Sequence, residues 1–442
     1  MEIASNPGLD EAKRRWRQGR VLLRRHGSGV LDWRRRTAIF GGAILVGVVA
    51  ILFARLADDA SGLFTATVAR IWWLPLLVTP LGYAAIAWLT MRLVPAAGGS
   101  GIPQVIAAKD TPDEATRGLT SARTAAGKVV LTAGALAVGA SVGREGPTVQ
   151  VGATVMAYAH RIMGVPVRAS VLVAGAAAGV AAAFNTPLAG VAFAIEELAA
   201  AYEQRMTLLV MTAVLIAGMV SLGFAGDYVY FGVVGQTLSL SATLVLAPVA
   251  GVLGGVAGGL FSRAMLAVSR RARWQASPRW SLLVPAGCGL LVAVIGCITG
   301  LTWGTGYAAA RATIAGTDAP LWFGPAKFVT TLATAAAGLP GGIFAPTLAT
   351  GAGLGNGLHA MFPGEPTGAV VLLGMVAYFT GVVRAPLTSV IIIAETTGSR
   401  GLMMPLLATA LIAEGAASLV SRERLYHGLA QRYLPPDARH KA

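Results

Sequence analysis

Apolar stretches long enough to cross a lipid bilayer recur along this 442-residue chain, and they limit its fold more than any other feature does. A transmembrane helix needs about 20 consecutive, mostly apolar residues. Five stretches reach or approach this length: Thr37–Ala57, Ile71–Thr90, Leu208–Phe224, Leu282–Leu301 and Leu402–Val420. Only 12% of the residues are charged, whereas a soluble domain has about 25%. Since lipid offers the backbone no hydrogen-bond partners, we predict an all-α, multi-pass integral membrane protein.

Positive charge is concentrated at the two ends of the chain, whose net charge is +15. Ten Lys or Arg residues lie between Lys13 and Arg36, before the first span. Another group follows the last span: Arg422, Arg424, Arg432, Arg439 and Lys441. Basic residues that flank spans favour the cytoplasm, so we expect both termini there and an even number of crossings of the cell inner membrane. A basic tail could instead bind nucleic acid, but no nucleic-acid-binding fold accompanies it, and we expect no such partner.

These patterns divide the chain into three parts. Residues 1–36 form a basic cytoplasmic segment, in which residues 10–25 have the pattern of an amphipathic helix at the membrane interface. Residues 37–421 form the transmembrane domain, and residues 422–442 form a short cytoplasmic helix and tail. The two cysteines lie in one apolar segment and indicate neither a disulfide framework nor a metal site.

The transmembrane domain contains an internal repeat. Lys128–Glu197 aligns without a gap to Lys327–Thr396, each residue meeting the one 199 positions further on, and 18 of the 70 positions are identical. The identical pairs include residues at breaks in the helical pattern: Lys128 and Lys327, Pro147 and Pro346, His160 and His359, Pro187 and Pro386, and Glu196 and Glu395. Related halves of a transporter usually have inverted topology and hold the substrate at their interface. We therefore predict two inverted repeats, rather than a duplication kept only for packing.

Three short strings each place glycine a few residues before proline: GSGIP at Gly99–Pro103, GREGP at Gly143–Pro147 and GGIFAP at Gly341–Pro346. Proline is favoured in the first turn of a helix, and glycine lets the chain enter in an extended or left-handed form. We predict a helix N-terminus at each string. Such an end carries unsatisfied N–H groups and a partial positive charge, which need a partner inside a membrane. Several converging ends predict a site for a small anion.

The second string carries two charged residues. Arg144 and Glu145 are the only charged residues between Lys128 and Arg161, and ionisable groups inside a membrane are functional candidates. They could pair with each other, but adjacent residues do not face one another on a helix. We predict instead that the Glu145 carboxylate occupies the helix start in place of an anion. Burial favours its neutral form and the helix end its charged form, so protonation could move it aside and open an anion path.

A second acidic position lies in the string NTPLAGVAFAIEEL. Glu196 matches Glu395 in the other half of the repeat, whereas Glu197 matches Thr396. We predict that Glu196 and Glu395 share a structural task, such as helix capping or bonding to backbone N–H groups. Glu197 is then free for a special role such as proton uptake from the cytoplasm, although an exposed acid at a helix end would have the same sequence.

Together these strings resemble the CLC family of chloride channels and chloride/proton antiporters. The resemblance runs, in the family's order and spacing, from GSGIP through GREGPTVQ, AAFNTPLAG and GGIFAP to RAPLTSVIIIAET and RLYHGLAQR. It implies a CLC-type fold with many tilted, partly non-spanning helices, and a homodimer with a pore in each subunit. It also implies chloride and protons as substrates, membrane lipid as the surroundings and no cofactor. About 20 residues follow the last span, so the CBS domains of eukaryotic members are not expected.

The resemblance also implies roles for individual residues. It implies an anion site that includes the hydroxyls of Ser100 and Tyr426 and the neighbouring Gly99. The backbone N–H groups of this site would come from Ile343, Phe344, Ala345, Arg144, Glu145 and Gly146. Glu145 is the external gating and proton glutamate in this comparison, and Glu197 is the internal proton glutamate.

The identity of the substrates rests on a few positions. Serine at position 100 is the family's chloride-type residue, whereas proline there accompanies nitrate preference and other replacements accompany fluoride exporters. The acid at Glu197 favours antiport, since family channels usually lack it. Gln104 and Ile106 stand where the family often carries acids, so these two positions leave open how tightly protons are coupled to chloride. A passive chloride channel on the same scaffold, and an antiporter for nitrate or fluoride, are the alternatives.

The first string also matches the sequence motif of a class of enzymes. Gly98–Gly101 matches G-x-S-G, the nucleophile string of intramembrane serine proteases. A serine nucleophile needs a base within hydrogen-bond reach, and the five histidines lie in the tails or near helix ends. Pro103 already explains the string as a helix start, so we expect no enzyme.

Overall fold

The computed structural model describes the backbone of residues 7–112, 118–198, 204–226, 229–271, 277, 279–317 and 320–434. Side chains are described in these ranges from residue 33 onward, except at 204–207 and 225. Seventeen α-helices, short 3₁₀ turns and loops build this part of the chain, which contains no β-strand. The prediction of an all-α protein is confirmed.

Eight of these helices lie in the first half of the chain. In order they are α1 (Pro7–Arg70), α2 (Pro75–Leu93), α3 (Ile102–Asp110), α4 (Ala122–Ala137), α5 (Glu145–Ile162), α6 (Ala169–Phe184), α7 (Pro187–Phe193) and α8 (Gln204–Ala225). Helix α7 continues directly into a π-helical turn at Ala194–Leu198. The predicted interfacial helix at 10–25 falls within the helical backbone of α1, but its side chains lie outside the described residues, so its amphipathic character stays a prediction.

The other nine helices lie in the second half. In order they are α9 (Leu240–Arg271), α10 (Trp280–Thr299), α11 (Tyr307–Ile314), α12 (Phe323–Ala336), α13 (Phe344–Met361), α14 (Thr367–Val383), α15 (Pro386–Thr397), α16 (Met403–Val420) and α17 (Leu425–Ala430). Helix α17 is the short C-terminal helix that the sequence predicts after residue 421.

Five helices in the described part are long and apolar enough to cross a membrane. They are Trp33–Arg70, Pro75–Leu93, Leu240–Arg270, Trp280–Thr299 and Arg400–Val420. Four of the five predicted stretches correspond to these helices. The fifth, Leu208–Phe224, is an apolar helix of 17 residues that falls below the length of the others.

One long span, Leu240–Arg270 in α9, is missing from the sequence prediction because glycines interrupt its apolar pattern. The structure gives these glycines a packing role. A Cβ at Gly254 would collide with Ala377, and one at Gly258 would lie 2.6 Å from the backbone of Gly381, both on α14. Small residues let helices approach closely where no hydrophobic driving force exists, so the glycines allow close helix packing and do not break the helix.

The predicted repeat appears in the helices themselves. Helices α5 and α13 begin and end 199 residues apart, and so do the α7 segment with its π turn and α15. The non-glycine residues with positive φ in the described part are Asn185 and Arg384, which are also 199 apart and end α6 and α14. A shared and uncommon backbone conformation at matched positions confirms that the two halves have one architecture.

The core of the fold is the pair of equivalent helices α6 and α14. Every residue of α6 from Val171 to Phe184 is buried, and so is every residue of α14 from Gly368 to Val383. A helix that is apolar on all sides is stable only when it is buried on all sides. Helices α5 and α13 pack directly against this pair, so the starts of those two helices lie deep inside the molecule.

Two glutamates cap the helices of the opposite repeat. Glu196 accepts hydrogen bonds from the backbone N–H groups of Leu387 (2.9 Å) and Thr388 (2.6 Å) at the start of α15. Glu395 accepts them from Leu188 (3.1 Å) and Ala189 (2.8 Å) at the start of α7. The shared structural task predicted for this pair is therefore confirmed, and it joins the two repeats to each other.

We expect the loss of one cap to destabilise the protein. Glu395→Ala leaves two N–H groups at the start of α7 without their acceptor, which costs about 1–3 kcal/mol. The apparent melting temperature in detergent should fall, and Glu395→Gln, which keeps one acceptor oxygen, should lose less. Glu365→Ala, on the loop between α13 and α14, is the control. Equal melting of the Glu395→Ala and Glu365→Ala proteins would contradict the capping role.

Candidate functional site

The three glycine-proline strings meet at one point, held together by backbone hydrogen bonds. Gly143 and Gly342 exchange two N–H to carbonyl hydrogen bonds of 2.7 Å, in an isolated antiparallel bridge. The N–H of Gly99 donates to the carbonyl of Leu339 (3.2 Å), and the N–H of Gly341 donates to that of Gly99 (3.1 Å). The predicted convergence of the strings is confirmed, since the second and third strings bond to each other and the first bonds to the third.

Each string opens a helix, as predicted. Helix α3 begins at Ile102 after Gly101, whose φ of 106° is a left-handed conformation that favours glycine. Helix α5 begins at Glu145 and helix α13 at Phe344, and the proline of each string lies within the first three residues of its helix. The first N–H groups of a helix have no partner within it, so each start adds donors and partial positive charge to the meeting point.

Close approach explains one glycine of the second string. A Cβ built on Gly146 would lie 2.5 Å from the Ser100 hydroxyl and 3.2 Å from the Cα of Gly342. Any side chain at this position would push the first string away from the second. Gly146 therefore lets the Ser100 hydroxyl rest against the start of α5.

The Glu145 carboxyl group is fully buried at the helix starts. It folds back over Gly143, where an added Cβ would collide with the Oε2 atom. The backbone N–H groups of Glu145 itself and of Ala345 are its neighbours, although neither has the alignment of a formed hydrogen bond. The side chain thus lies where the starts of α5 and α13 would favour an anion, which is the placement that the sequence predicts.

The partner of Arg144 is a residue that the sequence reasoning missed. Its guanidinium is buried and forms a salt bridge with Asp58 on α1 (2.6 Å), and it also donates to the carbonyl of Ala54 (2.6 Å). The Asp58 side chain is 69% exposed, so the pair links the helix start to the surface. The sequence signal for this salt bridge was the presence of Asp58 within the first apolar helix, because an acid inside a membrane is costly unless it is paired.

Two hydroxyls meet near the same point. Ser100 and Tyr426 are buried, and neither hydroxyl oxygen has a hydrogen-bond partner among the described residues. The Tyr426 ring packs against Phe344, with centroids 6.0 Å apart. The electrostatic neighbours of the Tyr426 hydroxyl include Ser100, Glu197 and Glu145. Two buried donors without protein acceptors fit an anion that both could bind.

A cavity of about 400 Å³ reaches this point. It is lined by four of the residues predicted for the anion site: Gly99, Ser100, Ile343 and Tyr426. Other lining residues belong to α17 and the turn after it, among them Leu429, Arg432 and Tyr433. The cavity therefore connects the predicted site with the C-terminal end of the described chain.

Two buried lysines hold the loops that lead to the site, and the sequence reasoning assigned them no role. Lys128 donates from Nζ to the carbonyls of Ala97 and Gly99, both at 2.7 Å. Its repeat partner Lys327 donates to the carbonyls of Thr302 (2.9 Å) and Gly304 (2.7 Å). The sequence signal for this shared role was the presence of lysine at both matched positions of the repeat. Lys128 therefore fixes the first string through its hydrogen bonds to Ala97 and Gly99.

Glu197 lies in the π-helical turn that ends α7, on the side of Tyr426. Its side chain is buried, so it is not the exposed acid that the sequence left open. The imidazole of His427 lies beside it, with Nδ1 3.3 Å from Oε1 of Glu197. At the matched position α15 is a regular α-helix, and its residue is Thr396. Single π turns occur often at functional sites.

Comparison with known proteins identifies the family of this chain. A family model described as voltage gated chloride channel matches residues 82–418. A protein named H(+)/Cl(-) exchange transporter ClcA from Cronobacter sakazakii is 33% identical over 417 residues, covering 88% of this chain and 88% of its own. A protein of the same name from Yersinia pestis is 31% identical over 423 residues, covering 90% of this chain and 87% of its own.

Solved structures share the fold. A slow cyanobacterial Cl⁻/H⁺ antiporter superposes with a TM-score of 0.78 at 24% identity, over 90% of this chain and 98% of that one. A CLC-type fluoride/proton antiporter superposes with a TM-score of 0.75 at 22% identity, over 89% of this chain and 96% of that one. Likeness at this level of identity concerns the fold, and it confirms the predicted CLC-type architecture.

We expect Gly146→Ala to weaken anion binding. The added methyl group would displace the Ser100 hydroxyl, because the two atoms would lie 2.5 Å apart. Chloride binding to the purified protein, measured by titration calorimetry, should weaken by about tenfold, or ~1.4 kcal/mol. Gly357→Ala is the control, since a Cβ at this α13 glycine meets no atom within 4 Å. Unchanged chloride affinity in Gly146→Ala would exclude Ser100 from the site.

Proposed function

The chain belongs to the CLC family, and on that premise we propose that it is a secondary active transporter that exchanges chloride for protons across the membrane. Glu145 is its protonatable gate, and Glu197 is its inner proton-binding residue. Chloride and protons are the substrates, and the chemistry requires no cofactor.

One observation carries this proposal. The fully buried hydroxyl of Tyr426 has two buried carboxyl groups as electrostatic neighbours, Glu197 and Glu145. Their oxygens make no hydrogen bond of regular geometry within the described part of the chain. Burying an ionised carboxylate without a hydrogen-bond partner is costly, so each of the two positions favours the uptake of a proton or of another counter-charge. A passive anion path needs one gate at most, whereas proton exchange needs acids on both sides of the anion.

The anion site is proposed to work through donors that carry little net charge. The hydroxyls of Ser100 and Tyr426 bind the central anion from one side, and the N–H groups of Ile343 and Phe344 bind it from the start of α13. The N–H groups of Arg144, Glu145, Gly146 and Ala345 shape the outer positions. Because no lysine or arginine binds the anion directly in this scheme, release stays fast enough for transport.

Gating follows from the position of Glu145. Its ionised carboxylate occupies the helix starts and competes with an anion for the same N–H groups. When it binds a proton it loses its attraction to the helix ends and moves aside, and an anion takes its place. Arg144, which is anchored to Asp58 and to the backbone of α1, keeps the string in place while the neighbouring side chain moves.

The nature of the anion is part of the proposal. The serine hydroxyl at position 100 favours chloride over nitrate, as the resemblance implies. One solved structure with the same fold is a fluoride/proton antiporter, so fluoride is the alternative to be measured beside chloride.

We also infer a homodimer in the cell inner membrane. Helices α8 and α16 flank the paired α7 and α15 and present apolar side chains outwards, with Met404 78% exposed and Leu419 88% exposed. A second copy and lipid together would cover this surface. The basic residues before the first span and after the last support the placement of both termini in the cytoplasm.

The proposal is tested by the reversal potential of the purified protein in lipid bilayers. Under a pH gradient, coupled exchange shifts the reversal potential away from the chloride equilibrium value, and a chloride gradient drives proton uptake into proteoliposomes. The same assay with nitrate and fluoride identifies the preferred anion. A reversal potential that stays at the chloride equilibrium value would mark a passive channel.

Two variants separate the parts of the mechanism. Glu145→Ala removes the tethered carboxylate, so we expect anion flux without pH dependence and without proton movement. Glu197→Ala removes only the inner proton site, so chloride flux should persist while proton movement stops. Both fluxes are read in the same vesicles, with Glu365→Ala as control. Normal proton pumping by Glu197→Ala would show that the inner proton path lies elsewhere.

A further inference from the structure

Glu197 is buried, and a proton must reach it from water. Its side chain has no exposed surface, and its two oxygens make no regular hydrogen bond with the described residues. A buried acid of this kind exchanges protons with solvent slowly unless a second group connects the two. The residues around it therefore decide whether it can serve as a proton-binding site.

The side chain of His427 contacts Glu197 and also reaches the surface. It lies on α17, directly after Tyr426, and 43% of its side chain is exposed. Its Nδ1 atom is 3.3 Å from Oε1 of Glu197. At this distance a small rotation of the ring would form a hydrogen bond between the two atoms. Histidine is the residue type that gains and loses a proton between about pH 5 and 8.

Two residues of α3, Gln104 and Ile106, offer no titratable group to Glu197. Ile106 is buried and apolar. Gln104 is buried too, and its Nε2 donates to the carbonyl of Gly98 (2.6 Å) and to the hydroxyl of Tyr433 (3.2 Å). An amide does not titrate, so neither residue can load Glu197 with a proton.

Charged groups from each neighbouring element surround the pair. From α3, Lys109 donates to the carbonyl of Leu198 (3.0 Å) and has Glu197 and Asp110 as electrostatic neighbours. Before α17, Arg424 lies against the carbonyl of Glu196 (3.5 Å), and Glu423 pairs with Arg270 of α9 (2.5 Å).

The remaining groups near α17 are Arg432, which donates to Ser269 on α9, and the hydroxyls of Tyr426 and Tyr433. Two cations, Lys109 and Arg424, therefore hold the backbone on either side of Glu197.

The geometry points to His427 as the residue that passes protons between the cytoplasmic solution and Glu197. This inference rests on the proposed function. The neutral ring takes a proton from hydronium at Nδ1 when it is turned to solvent, which leaves water and an imidazolium. Turned back towards Glu197, the Nδ1–H gives that proton to Oε1, which leaves the neutral ring and a neutral carboxyl group. The reverse sequence releases the proton.

The test measures both fluxes in proteoliposomes over a series of pH values on the cytoplasmic side. In His427→Gln, chloride flux should persist while chloride-driven proton uptake falls at least about tenfold and loses its pH dependence. His427→Glu, which restores a titratable group, should recover proton uptake with an altered pH profile. In His427→Ala, imidazole added to the solution should recover it in proportion to its concentration. His359→Gln, at the end of α13, is the matched control.

The outcomes separate this inference from the function it rests on. Wild-type protein that moves no protons overturns the proposed exchange. Wild-type coupling together with an unchanged proton-to-chloride ratio and pH profile in His427→Gln overturns only the role of His427. Equal loss of both fluxes in the Gln and Glu variants, with no rescue by imidazole, would make His427 a structural residue and also overturns the inference.

Discussion

Two hydrogen bonds between Gly143 and Gly342 are the contact on which the rest of this structure depends. They join the equivalent loops of the two repeats back to back, at the point where α5 and α13 begin. Because each bond is the symmetry partner of the other, the two helix starts are fixed at the same depth. The first string attaches to this pair through Gly99, so three helix N-termini meet inside an apolar molecule. N–H groups that would be costly to bury singly become a site when they point at one place.

Matched charged side chains of the two repeats follow the same logic, since they bind the backbone. Lys128 and Lys327 donate to loop carbonyls, and Glu196 and Glu395 accept from helix N–H groups. These four residues occupy matched positions in the two repeats and stabilise both halves in the same way. Such pairing with peptide groups gives each of these four side chains its hydrogen-bond partners inside the fold.

The proposed chemistry lies where the repeat is not symmetrical. In the repeat alignment, Ile343 and Phe344 occupy the positions of Arg144 and Glu145, and Thr396 occupies the position of Glu197. In the second half the same places hold apolar side chains or a hydroxyl that donates to its own helix, so they carry no titratable group. The aromatic ring of Phe344 packs against Tyr426 and Phe193 and so connects the start of α13 to α17 and α7. A duplicated scaffold thus carries Glu145 and Glu197 in one half only.

The sequence by itself determined the membrane class, the repeat, the three helix starts and the capping pair, because each depends on local composition or on identity at a fixed offset. It also placed Glu145 at a helix start, since glycine and proline define that conformation locally. It missed the α9 span, where glycines that look like breaks are packing surfaces for α14. Only the tertiary structure decided the partners that are distant in sequence: Asp58 for Arg144, the loop carbonyls for the two lysines and His427 for Glu197. Local patterns fix where a helix begins, whereas the contact between two side chains depends on how the helices pack against each other.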